Sequence, residues 1–356
     1  AVNNTRVNDE KVAAKGHQRV IRARLEDALF FFKEDRNKTL AERVDDLSGI
    51  IFQNKLGTLL EKTHRVTELA ALLAEQHAPD TIETTKRAAH LSKADLLTDM
   101  VNEFPSLQGV MGRDYALQNN EGEDVARAIL EHYMPVRAGG ELPPSIPGAL
   151  VSMADRIDTI AGCFGIGQTP SGTTDPFGLR RLTLGLLHII KDKNFHVNLR
   201  ELVKKALGLY GDKLTEDRAT AEENIIAFIK GRFVNDLTAK GIPTEAVLAV
   251  TSVSFDDIVE CSQRVNALVE LSGKPSFALL AGAFKRVMNI IKDHDGASVN
   301  ESLLTEPAEQ KLFATFSDVQ ARVLPLVNEK KYTQAMEIIL EMKEPVDAFF
   351  DDVMVM

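Results

Sequence analysis

Tryptophan is absent from the 356 residues, tyrosine occurs 4 times, and aromatic residues make up 6% of the chain. Strands draw on aromatic and β-branched side chains, so a sheet-rich fold is disfavoured; plentiful Ala, Leu, Glu and Lys favour helices instead. Cysteine is scarce: Cys163 and Cys261 stand far apart, which fits a reduced, cytosolic protein better than a disulfide scaffold. No apolar run reaches the roughly 20 residues needed to span a bilayer, and no signal peptide is visible. An excess of positive charge is also missing, the formal net charge being −10. That argues against a general nucleic-acid coat protein but leaves room for RNA contacts through local patches.

Hydrophobic residues make up 44% and charged residues 26% of the chain, which is ordinary globular usage. The length points to two domains rather than one core. The charge is segregated. Lys11, Lys15, Arg19, Arg22 and Arg24 fall within residues 11–24 with no acid among them. Residues 177–205 carry seven Lys/Arg against Asp192 and Glu201. Such segregation suits a protein with one RNA-facing side, although a solvated helix face explains either patch alone equally well. The chain opens on Ala and stops at Met356, and is read as a piece of a longer polypeptide.

Apolar periodicity predicts an all-α fold. Residues 1–15 show none and read as a tail. From His17 a helix is expected, with Ile21, Leu25, Ala28, Leu29 and Phe32 on its inward face and Arg22 and Arg24 outside it. Residues 40–60 read as mixed helix, 61–76 as a helix, and Asp80 with Glu83 as the start of a long helix reaching about Glu103. Gly112 reads as a stop, 121–133 as a helix ended by Pro135, 138–148 as a loop, and 149–161 as a helix. Asp175 before Pro176 marks a helix starting near Phe177. Helical spacing resumes at Ile225, Phe228, Ile229 and Phe233 and continues to the end, giving a domain boundary between about 210 and 225.

Three constellations invite chemistry. His64, His90, Asp95, His132 and Asp155 fall on four predicted helices or their ends, and His with carboxylate can jointly hold a divalent ion. Spacing alone is weak support, and His132 also fits a satisfied core histidine. Asp95, Asp99 and Glu103 stack at helical spacing as a charged face. Gly162, Gly165, Gly167 and Gly172 precede a helix start, yet no Gly-Lys-Ser/Thr follows and Pro170 replaces the last glycine of a dinucleotide fingerprint. A tight turn feeding Asp175 is the better reading, with Arg180 and Arg181 placed to hold an RNA phosphate. Nucleophilic catalysis has no support: Cys163 lacks a suitably spaced His, and Ser171 lies outside any nucleophile elbow.

Several runs together resemble the β subunit of the bacterial two-subunit glycyl-tRNA synthetase. They are RARLEDALFFFKED (22–35), KTHR (62–65), SKADLLTDMVNEFPSLQGVMGRDYA (92–116) and EHYMP (131–135). They continue with ADRIDTIAGCFGIGQTPSGTTDPFGLRR (154–181), AFKRVMNIIK (283–292) and FFDDVMVM (349–356). The resemblance covers nearly the whole chain and implies an internal-to-C-terminal fragment. It implies an HD-like helical domain over residues 16–220 and a C-terminally truncated helical domain of the anticodon-binding type over 221–356. It implies tRNA for glycine and the enzyme's α subunit as partners in an α₂β₂ assembly, with no membrane. The adenylate chemistry would lie in the α subunit; ATP and Mg would serve the holoenzyme, with no cofactor and no catalysis in this portion.

An HD phosphohydrolase needs a His, an adjacent His-Asp pair and a later Asp around a metal. By resemblance His64 matches the first and Asp155 the last. Where the pair should stand the sequence reads Leu91-Ser92-Lys93-Ala94-Asp95, and Lys93 puts a cation where the metal belongs. The expectation is a degenerate pocket of His64, Lys93, Asp95, His132 and Asp155 without metal, in which Lys93 pairs with Asp155 or faces a phosphate. Candidate tRNA contacts are Arg22, Arg24, Lys93, Arg113, Arg180, Arg181, Lys285 and Arg286, with Asn289 a further candidate for base reading. The alternatives are a metal-dependent phosphohydrolase on His64, Asp95, His132 and Asp155, and a scaffold that only docks the α subunit.

Overall fold

The computed structural model describes residues 9–291 and 299–353. Residues 1–8 of the expected tail, Lys292 and residues 354–356 lie outside the described residues. The fold is all-α; among the described residues the strands are a small hairpin, Ile51–Gln53 paired antiparallel with Gly57–Thr58. It divides into two compact units, 1–232 and 233–356. The division falls inside the helix Arg218–Ala239, where an uninterrupted apolar repeat gives no local sign of it.

The first unit is built on the helix Ile146–Gly165. Ala149, Leu150, Met153, Ile157, Ile160 and Ala161 are fully buried along it, and almost no position faces water. A helix with apolar residues on every side must be enclosed, and its few charged residues, Asp155, Arg156 and Asp158, then need partners inside the core. The enclosing helices are Leu59–His77, Ile82–Leu91, Glu123–Glu131, Leu179–Asp192 and Leu199–Gly208. Thr58 and Glu61 form a capping box at the start of Leu59–His77, satisfying two of its free N–H groups. No equivalent cap forms at Asp80 and Glu83, and the long helix expected there is broken. Its pieces are Pro79–Thr81, Ile82–Leu91, Ala94–Leu97 and Asp99–Glu103, so Asp95 is parted from the helical face that Asp99 and Glu103 share. Gly112 lies inside the helix Val110–Gln118, because a Cβ there would meet Ile129 and Asp95; the glycine serves close packing and stops nothing. Asp175 is not the N-cap expected before Pro176: the helix starts at Leu179 with Gly178 as its cap residue, and the Asp175 carboxylate reaches forward to accept from the N–H groups of Leu179 and Arg180.

The helix Glu10–Asp35 begins ahead of the expected His17, where the Asp9 carboxylate accepts from the N–H groups of Lys11 and Val12. Its far end is pinned. Buried Asp35 accepts from the backbone of Asp99 and Met100 and from the Tyr115 hydroxyl, and Phe32 stacks on Tyr115. Ile21, Leu25 and Leu29 were expected inside but are 54%, 60% and 59% exposed. Periodicity identifies a face, and here the unit covers only the last turns of it.

The second unit includes the helices Thr244–Val253, Ile258–Ser272, Pro275–Ile290, Pro307–Asn328, Tyr332–Ile339 and Lys343–Asp352. Leu280, Ala283, Val319, Met342 and Val346 form one core cluster. Each unit holds one buried, unpaired cysteine, Cys163 in the first and Cys261 in the second. No helix among the described residues is long and apolar enough to cross a membrane.

Candidate functional site

Two charged pairs are carried into the core of the first unit by helices that are otherwise apolar on their inner faces. Lys62 and Arg65 sit one turn apart on Leu59–His77, and Asp155 and Asp158 one turn apart on Ile146–Gly165. Residues three apart share a helix face, so the two pairs meet directly. Lys62 Nζ lies 3.0 Å from Asp155 Oδ1 and 3.0 Å from Asp158 Oδ2, and donates to Thr159 Oγ1 at 2.8 Å. Arg65 Nε donates to Asp158 Oδ1 at 2.6 Å, and its guanidinium stacks on the Tyr210 ring at 3.9 Å.

Lys93 enters from the end of Ile82–Leu91 and His132 from the end of Glu123–Glu131. Lys93 Nζ donates to Asp155 Oδ2 at 3.1 Å and lies 3.0 Å from His132 Nε2, over the Tyr133 ring. His132 Nδ1 stands 2.5 Å from the Ile129 carbonyl, which fixes the tautomer: Nδ1 carries the proton and Nε2 accepts from Lys93. Burial, reinforced by the Lys93 charge, pushes the His132 pKa well down, so the ring is neutral. Burial also lowers Lys93, with Asp155 opposing. Burial acts to lower Lys62 too, but two carboxylates outweigh it and raise the pKa. Burial would raise Asp155; the Lys62 and Lys93 ammoniums overcome it and hold the carboxyl far below the usual range.

Of the five residues expected in this pocket, Lys93, His132 and Asp155 converge. His64 does not: it is exposed on the outside of its helix. The chain advances about 100° per residue around a helix, so two positions beyond Lys62 is nearly the opposite side. His90 is half-buried with Arg87 and His64 as charged neighbours. Asp95 is buried close by, its Oδ2 accepting from the Gly109 N–H at 2.6 Å while Oδ1 has no partner. Burial raises its pKa to about 6. The residues do not fit a metal of the HD type. The Nε2 lone pair and both Asp155 oxygens, the donors such a metal needs, are engaged by ammonium groups, and His64 points elsewhere.

Beside this network opens a cleft of about 440 Å³, lined by His132, Tyr133, Pro135, Asp155, Arg156 and Arg181 among others. Arg156 is fixed by carbonyls, those of His132 and Ser152 on Nη1 and of Pro135 on Nη2. The other RNA candidates scatter. Arg22 and Arg113 are exposed; Arg24 pairs with Glu103; Arg180 turns back to the Gly172 carbonyl at 2.8 Å. In the second unit Lys285 and Asn289 are exposed, and Arg286 lies over the Phe350 ring. Sequence reading missed Lys62, Arg65, Arg156 and Asp158. Lys62 with Arg65, and Asp158 with Asp155, gave one signal, charges of one sign at helical spacing; Arg156 gave none.

Fold and site together define a helical protein whose buried His/Asp pocket is closed by lysine. A family model described as glycyl-tRNA synthetase beta subunit matches residues 1–252, and the chain belongs to that family. It is 47% identical over 355 residues to the glycine–tRNA ligase beta subunit of Syntrophotalea carbinolica, covering 100% of this chain and 52% of that one. The beta subunits of Geobacter sulfurreducens (47%) and Geobacter sp. (46%) match over the same shares. The chain thus spans about half the length of the curated relatives it matches.

Proposed function

We propose that this chain is the tRNA-binding portion of the β subunit of a cytoplasmic glycine–tRNA ligase. In this reading ATP, Mg and glycine are handled by the α subunit, with which the β subunit assembles, and tRNA is held here. The observation that carries it is similarity along the full chain to glycine–tRNA ligase beta subunits. Exposed Arg22, Arg113, Arg181 and Lys285 support it as phosphate contacts, which position RNA without reading its sequence. The first unit is read as an HD-like domain and the second as a helical domain of the anticodon-binding type. Phosphohydrolase activity is disfavoured by the engagement of His132 and Asp155 with lysine.

The test is binding of the full-length polypeptide to glycine tRNA, titrated against salt beside a non-cognate tRNA. Affinity should fall with a log–log slope of about −0.7 to −0.9 per phosphate contact and favour the cognate tRNA. Absence of binding at low salt overturns the reading and leaves a scaffold that docks the α subunit.

A further inference from the structure

The cleft beside the lysine network has an unbalanced charge. Its one carboxylate among the named lining groups, Asp155, is already held by Lys62 and Lys93. Two guanidiniums remain in the wall. Arg156 is buried and braced only by neutral oxygens of Ser152, His132, Tyr133 and Pro135; Arg181 is exposed at the start of Leu179–Asp192. Among the described residues neither forms an ion pair. Burial lowers the Arg156 pKa to about 10, and the nearby Arg181 charge lowers it further while Asp155 opposes. Like charges held together in a partly dry wall are costly unless a counter-ion joins them. The Arg156 Nε, buried without a partner, adds to that cost. The remaining lining combines polar Ser106 and Gln108 with apolar Pro105, Pro135, Val136 and Leu182, so an anionic group with a planar or apolar body attached fits better than a bare ion.

We propose that the cleft between Arg156 and Arg181 is a binding site for a single phosphate group of a nucleotide unit. Exposed Arg181 presents a planar fork that matches phosphate oxygens, and Arg156, its Nη donors held by carbonyls, adds a fixed positive charge to the wall. The unit can belong to RNA or be a free nucleotide; only the RNA source rests on the function proposed above.

The experiment titrates the full-length polypeptide with AMP, with inorganic phosphate and with glycine tRNA, for the native sequence, Arg181→Ala, Arg181→Glu and, as a surface-charge control, Arg127→Glu. Arg181 is exposed, so these variants keep the fold, which circular dichroism verifies. Arg181→Ala should weaken the bound ligand about tenfold and Arg181→Glu more, with Arg127→Glu unchanged. Loss confined to tRNA assigns the phosphate to RNA. Loss confined to AMP assigns it to a free nucleotide, even if tRNA does not bind at all. If AMP and phosphate fail to bind and tRNA binds equally to all variants, the cleft proposal is overturned while the tRNA reading stands.

Discussion

At the scale of the residue, the pocket is a set of charges that must solve one another's burial. Asp158 is fully buried against Lys62 and Arg65, so its removal strands the Arg65 guanidinium in the core and leaves Lys62 to Asp155 alone. Asp158→Ala should therefore cost about 3–5 kcal/mol of stability, read as a lower urea midpoint. Asp95 behaves in the opposite sense. Its folded pKa of about 6 exceeds the unfolded value near 3.9, so the folded state keeps a proton that the unfolded chain has released. Stability is favoured below about pH 4 and is lost as pH rises to about 6, by up to about 3 kcal/mol. Asp95→Asn removes this titration. The native protein should lose stability relative to the Asn variant between pH 4.5 and 7 in denaturant unfolding. A difference that stays constant with pH would rule out the buried proton.

At the scale of the element, the fold was partly legible. The helices read at 61–76 and 121–133 emerge as Leu59–His77 and Glu123–Glu131, because each has a clean apolar stripe and polar or proline punctuation. The hairpin at Ile51–Gln53 and Gly57–Thr58 was not legible, because strands this short leave almost no period to detect. Helical spacing also could not tell Lys62 from His64 as the inward residue. The choice depends on Asp155 and Asp158, more than ninety positions away in the chain. Asp155 was one of several scattered His and Asp candidates, and Lys93 was legible only through the family pattern. Gly109 has a φ of +78°, and a Cβ there would stand 2.6 Å from Tyr133 Cδ2. Gly109→Ala should cost about 1–3 kcal/mol and displace Tyr133 from the Lys93 ammonium, visible as a shifted tyrosine resonance or fluorescence. An unchanged thermal midpoint would mean that the loop yields instead.

At the scale of the whole molecule, two units with separate cores share one chain. Each encloses a single thiol with a raised pKa, Cys163 pushed by burial to about 12 and Cys261 also raised by burial. A protonated, enclosed thiol is almost inert to disulfide reagents, so labelling waits for an opening event. The protein thus contains two internal clocks, one in each half. Timed alkylation followed by peptide mass spectrometry would read both in one sample. If the halves open independently, mild urea should accelerate one cysteine before the other, and Asp158→Ala should quicken Cys163 while leaving the pace of Cys261 unaltered.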